Sequence, residues 1–75
     1  MIIVYYQKRG SIYNTGITTQ VYRSFKDLKD EVNSYSCISD KNFMQKPDMR
    51  SIYDCARFIA HQNGNIVFKI QKKYF

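Results

Sequence analysis

Apolar and polar residues alternate with a period of two in three parts of the chain, and each part is typical of a strand. Residues 2–8 are a β-branched and aromatic run, apolar on both faces at its start. Residues 17–23 and 65–72 alternate more regularly, which indicates half-exposed strands. Turn signals at Gly10 and Gly16 separate the first two strands, so we expect a hairpin and leave open which glycine forms its turn.

Two other segments repeat their apolar positions with the helical period. Residues 25–35 carry such a stripe, and Ser24 with Asp27 matches a capping box at its start. We expect a second helix that begins at Pro47 or Asp48 and ends before Gly64. Its stripe comprises Met49, Ile52, Tyr53, Ala56, Ile59 and Ala60. Residues 36–47 are predicted to be a loop, held to the core by Ile38, Phe43 and Met44.

The order β-β-α-α-β predicts a single α+β domain over residues 1–75. Two apolar helix stripes need the same apolar sheet face, so both helices are expected on one face of a three-stranded antiparallel or mixed sheet. The first strand is the most apolar and is placed centrally, in the order 2-1-3. The predicted core comprises Ile2, Val4, Ile17, Val21, Leu28, Val32, Ile52, Ala56, Ile59, Ile66, Phe68 and Ile70.

Composition excludes several classes of protein. Two cysteines are too few for a disulfide scaffold, and no apolar run approaches the roughly 20 residues that span a bilayer. The first apolar run is too short for a signal peptide and has no basic residue before it. We therefore expect a cytoplasmic protein without a membrane partner.

Catalytic and metal-binding patterns are weak in this sequence. The candidate ligands Cys37, Cys55 and His61 lack the close pairing of a zinc site. Cys55 and His61 are six residues apart on one predicted helix, about 9 Å along its axis and on different sides, so they cannot form a catalytic pair. The acids fit solvated helix faces and caps, and three glycines leave no phosphate-binding loop. We expect no catalytic residue, metal or cofactor, and hence a protein that is not an enzyme.

The charge layout is more informative. The chain holds 12 Lys and Arg against 6 Asp and Glu, a formal net charge of +6. Residues 1–25 and 55–75 contain no acid, so the excess charge lies mainly on the predicted strands. The sheet face away from the helices is expected to present Tyr5, Gln7, Arg9, Gln20, Tyr22, Lys69, Gln71 and Lys73. The predicted partner-binding residues are Arg9, Tyr22, Lys69, Lys72 and Lys73, on this face and on the open edge of the last strand.

Three interpretations of that face stay open. It suits an acidic protein surface, the backbone and bases of a nucleic acid, or simple solvation. A homodimer is also possible at this size. In length, build and its wealth of residues with AT-rich codons, the chain resembles small accessory proteins of phages and mobile elements, including inhibitors of the anti-CRISPR kind. That resemblance covers the whole chain, has no motif behind it, and implies a non-enzymatic inhibitor of host nucleic-acid or defence machinery. The alternative is a direct nucleic-acid binder.

Overall fold

Within residues 1–12, 15–35 and 47–73, which the computed structural model describes, the chain forms three strands and two helices. These are β1 (Ile2–Lys8), β2 (Ile17–Tyr22), α1 (Phe25–Tyr35), α2 (Ile52–Gln62) and β3 (Asn65–Lys72). The strands form one antiparallel sheet in the order β2-β1-β3. The α+β architecture and the central position of β1 are confirmed, and the mixed sheet is excluded.

The second helix begins later than predicted. Ser51 is its N-cap, because Ser51 has an extended backbone and its Oγ accepts from the backbone N of Asp54 at 3.2 Å. Asp48 instead forms the preceding turn, where its Oδ1 accepts from the backbone N of Arg50 at 2.9 Å. The carbonyl of Asp48 also accepts from the backbone N of Ser51 at 3.0 Å. The predicted anchors Ile38, Phe43 and Met44 lie outside the described residues.

Both helices pack on the same side of the sheet. One core cluster joins Leu28 and Val32 of α1 to Ile59 of α2 and to Ile2 and Val4 of β1. The predicted core is confirmed at these five positions and at Ala56, and Cys55 is buried beside them. Ile52 and Ile70 are partly buried against the cluster. Tyr53 was assigned to the apolar stripe of α2, but its side chain is 55 % exposed.

Strand β2 presents the opposite face to the one predicted. Tyr22 pairs with Ile2 and is only 4 % exposed, whereas Val21 is 50 % exposed and pairs with Ile3. Directly opposed residues share a face, so Ile17 and Val21 lie on the side away from the helices. Tyr22 has the larger apolar area to bury, and Tyr6 supplies the hydrogen-bond partner that its hydroxyl needs there.

A bulge interrupts β3. Tyr5 pairs with Lys69 while Tyr6 pairs with Val67, so Phe68 is an extra residue in this strand. Ile70 and Val67 therefore both pack on the core, although they are three positions apart along the chain. The placement of Ile66 and Phe68 in the core is wrong: they are 47 % and 45 % exposed. Strict alternation assigned Ile70 to the correct face of the sheet. It assigned Ile66, Val67 and Phe68 to the wrong face.

Candidate functional site

The sheet side away from the helices is the candidate site, and we call it the open sheet face. Strand register and alternation from the core-packed positions assign its members. They are Ile3, Tyr5, Gln7, Ile17, Thr19, Val21, Ile66, Phe68, Lys69 and Gln71. The face is more apolar than the sequence indicated, because the reversed phase of β2 and the bulge in β3 both move aliphatic or aromatic side chains onto it.

Tyr5 lies at the centre of the open sheet face, on the central strand. Its hydroxyl donates to Oε1 of Gln71 at 3.0 Å, across the β1–β3 pair. The Nζ of Lys69 is 6.0 Å from the centroid of the Tyr5 ring, within the range of a cation–π contact. Two neighbours from β3 thus hold the ring in place, which reduces the side-chain entropy that Tyr5 would lose on binding a partner.

The connection between β1 and β2 covers one end of this face. Gln7 is 7 % exposed, and its Nε2 donates to the carbonyl of Thr15 at 3.2 Å. The backbone N of Lys8 donates to the carbonyl of Gly16 at 3.0 Å and closes the connection. Gly16 has φ +68°, and a Cβ there would meet Oγ of Ser11 at 2.6 Å. Gly10 also has a positive φ, so both glycines shape the connection that the sequence left undecided.

The cations of the sheet are not neutralised within the described part of the chain. The three strands contain Lys8, Lys69 and Lys72 and no acid. The two ion pairs among the described residues, Lys26–Asp30 at 3.1 Å and Arg50–Asp48 at 3.3 Å, belong to α1 and to the turn before α2. Of these three lysines, Lys69 lies on the open sheet face, so its charge stands beside the apolar centre, where none of the three strands contributes an acid to neutralise it.

The three predicted lysines do not lie together. Lys69 is on the open sheet face, as predicted. Lys73 follows the last strand, is exposed, and its backbone N donates to the carbonyl of Met1 at 2.9 Å. Lys72 pairs with Ile2, so it lies on the helical side of the sheet. The prediction placed Lys69 and Lys73 on the open face and Lys72 at the open edge of the last strand, and in the structure Lys69 and Lys73 are the two that extend the open sheet face.

Arg9 and Tyr22 also lie away from that face. Arg9 follows β1, where its backbone N donates to the carbonyl of Gly64 at 3.1 Å and its Nη2 is 3.3 Å from Nδ1 of His61. The placement of Tyr22 on the open face is wrong, because it is in the core with its hydroxyl 3.0 Å from that of Tyr6. Burial raises the pKa of Tyr6 to about 12, and burial likewise raises that of Tyr22.

Sequence reasoning missed the aliphatic part of the site. Val21 was assigned to the core because alternation shows that a strand has two faces without showing which is buried. Ile66 and Phe68 were missed because a bulge leaves no clear sequence signal in a strand without an internal glycine or proline. The size of Tyr22 was the one available signal, since the larger aromatic residue is the better candidate for burial.

The described residues bring no metal-binding cluster of three His, Cys, Asp or Glu together. Cys55 is fully buried, its Sγ donates to the carbonyl of Asp48 at 3.7 Å, and burial raises the pKa of its thiol. Cys37 lies outside the described residues. Neither α1 nor α2 has the length and hydropathy to cross a membrane. Comparison with known proteins finds no matching family, no matching curated protein and no matching solved structure.

Proposed function

We propose that this protein is a non-enzymatic binding module that holds an acidic protein partner against its open sheet face. The observation that carries the proposal is the combination of an apolar centre with unneutralised cations on that face. Val21, Ile66 and Phe68 are each close to half exposed, and the strand register places them on the same side of the sheet as Tyr5. Protein interfaces typically have such an apolar and aromatic centre with a charged rim.

Charge favours a different protein over a second copy of this chain. In a symmetric dimer through the open sheet face, Lys69 and Lys73 of one copy would approach the lysines of the other, with no acid on any strand to separate them. Like charges brought together at an interface cost several kcal/mol. A partner that presents Asp or Glu around an apolar patch complements both features.

A nucleic acid is the alternative occupant, and the side chains of the face favour it less. Bases stack on aromatic rings, and the backbone needs a track of cations. Among the described residues of the open sheet face, Tyr5 and Phe68 offer rings, while Ile3, Val21 and Ile66 offer aliphatic surface that does not stack. A protein partner uses all five side chains.

The kind of partner is suggested by the resemblance in size and composition described above. On that basis, we propose that the partner belongs to the nucleic-acid or defence machinery of a cell in which the protein acts as an inhibitor. Binding alone is sufficient for this role, because a surface that covers a partner's working site needs no chemistry of its own.

The proposal is tested by quantitative capture from cells that make the protein. Lys69→Glu with Lys73→Glu, and separately Tyr5→Ala, should weaken retention of one specific protein by about tenfold or more. These side chains lie outside the core cluster, so circular dichroism should show an unchanged fold. The control, Lys26→Glu with Lys29→Glu on α1, makes the same change of charge away from the face and should leave retention unchanged.

Two results would contradict the proposal. Equal retention by the open-face and α1 variants would show that binding lies elsewhere. Loss of the complex after nuclease treatment would favour the nucleic-acid alternative, which also predicts an affinity for single strands that falls with salt at a log–log slope of about 0.7 per phosphate contacted.

A further inference from the structure

A second surface, distinct from the open sheet face, combines basic and aromatic side chains. It is a groove of about 580 Å³ between α2 and the outer edge of β3, and we call it the basic groove. Arg9, Tyr53, Arg57 and His61 line it, and Ile66 and Val67 of β3 complete its wall. Ile66 is shared with the open sheet face, but the cations are not. The volume lies in the usual range for small-molecule sites, about 300–1,000 Å³.

The helical part of the groove follows from sequence spacing. Tyr53, Arg57 and His61 are four residues apart in turn, which places them in one row along α2 about 6 Å apart. All three are exposed, on the side of α2 away from its buried residues. The one acid of this helix, Asp54, does not line the groove.

Arg9, which follows β1, contacts the last residue of this row on α2. Its Nη2 is 3.3 Å from Nδ1 of His61. An arginine side chain can only donate, so Nδ1 accepts and the proton of a neutral imidazole is on Nε2. Among the described residues, neither Arg9 nor Arg57 has a carboxylate within 4.0 Å. Two guanidinium groups and an imidazole N–H are thus available to a ligand in this groove.

We propose that the basic groove binds a nucleoside 5′-phosphate, with the phosphate held by Arg9, Arg57 and His61 and the base stacked on Tyr53. Guanidinium forks match the oxygen geometry of a phosphate and bind it by paired hydrogen bonds. Tyr53 lies one helical turn from Arg57 and is 55 % exposed, which leaves aromatic surface available to a base. Ile66 and Val67 supply apolar contact for the sugar or base.

The size and lining of the groove favour this ligand over simpler anions. A free phosphate or a single carboxylate would satisfy the cations but leave most of the 580 Å³ and the Tyr53 ring unused. The nucleotide is either free in solution or the phosphorylated 5′ end of a single strand, and the same contacts serve both. This inference does not depend on the protein partner of the open sheet face.

The experiment is a titration of the ¹⁵N-labelled protein, followed by NMR chemical shifts and by calorimetry. The probes are adenosine 5′-monophosphate, adenosine, inorganic phosphate, and a short oligonucleotide with and without a 5′-phosphate. We expect the monophosphate to bind more tightly than adenosine or phosphate alone, with shifts concentrated at residues 53–61 and 65–67. If only the 5′-phosphorylated oligonucleotide binds, the basic groove is confirmed as a nucleotide site, and its ligand is the 5′ end of a single strand.

Matched variants locate the site. Arg57→Ala and Arg9→Ala should each weaken binding of the preferred probe about tenfold or more. Tyr53→Ala should weaken binding of adenosine 5′-monophosphate while leaving that of inorganic phosphate unchanged. Arg23→Ala removes the same charge from an exposed position outside the groove and should have little effect. Equal losses from Arg57→Ala and Arg23→Ala, or no binding of any phosphorylated probe, would overturn the proposal.

Discussion

The buried Tyr6–Tyr22 pair should make the fold sensitive to alkaline pH. The two hydroxyls are 3.0 Å apart, and both side chains are at most 6 % exposed. Burial disfavours the phenolate, so the folded protein keeps protons that the unfolded chain releases above its ordinary pKa of 10.0. The unfolded state then binds fewer protons, and the free energy of unfolding falls as pH rises through this range. Below about pH 9 the tyrosines of both states are protonated, and the full stability is present.

The size of the effect follows from the pKa of Tyr6. Each pH unit costs about 1.4 kcal/mol for every tyrosine that is ionised in the unfolded chain and protonated in the folded one. Tyr6 and Tyr22 together therefore remove about 5 kcal/mol between pH 10 and about 12, the raised pKa of Tyr6. A domain of 75 residues has a stability of roughly 4–11 kcal/mol, so this loss is a large part of the whole.

The assay is urea unfolding followed by far-ultraviolet circular dichroism at a series of pH values. The double variant Tyr6→Phe with Tyr22→Phe should lose most of the alkaline slope, while Tyr5→Phe on the open sheet face should retain it. At neutral pH, either single change within the pair leaves one buried hydroxyl without its partner and should cost about 1–3 kcal/mol, whereas the double change should cost less than the two singles combined. An unchanged slope in the double variant, or strictly additive single costs, would refute the reasoning.

Two further predictions concern the core and the β1–β2 connection. Leu28 is fully buried in the cluster, so Leu28→Ala should lower the free energy of unfolding by about 2–5 kcal/mol in urea denaturation; an unchanged midpoint would show that α1 does not pack as described. Gly16→Ala should destabilise more than Gly10→Ala, since both have positive φ but only a Cβ at position 16 meets other atoms; equal losses in thermal melts would contradict the steric argument.

The sequence predicted the elements better than it predicted their faces. Strand β1 is apolar on both sides, and its central position could be inferred directly from that. Alternation in β2 defines two faces but does not show which of them is buried. The large apolar area of Tyr22 made its face the buried one. In β3, the extra residue Phe68 moves the residues before it in the strand to the opposite faces of the sheet. A local pattern cannot detect such a register shift, because it depends on the neighbouring strand.

The same limits explain which parts of the candidate sites could be foreseen. The absence of acids from the strands is a property of sequence alone, and it correctly pointed to a basic sheet. Arg9 and His61 are 52 positions apart in the sequence, so their grouping appears only in the folded protein. Arg57 lies in an acid-free end of the sequence but on α2, and the fold brings it to the basic groove.

The bulge also makes the two edges of the sheet unequal in their tendency to aggregate. Edge strands offer unpaired backbone groups to other chains, and bulges and lysines are the usual protection. Strand β3 has both, with Phe68 inserted and Lys69 and Lys72 beside it. Strand β2, residues 17–22, has no charge, proline or bulge. Unwanted strand-to-strand association in concentrated solution should therefore begin at β2, and a single lysine at Thr19 would be the simplest way to suppress it.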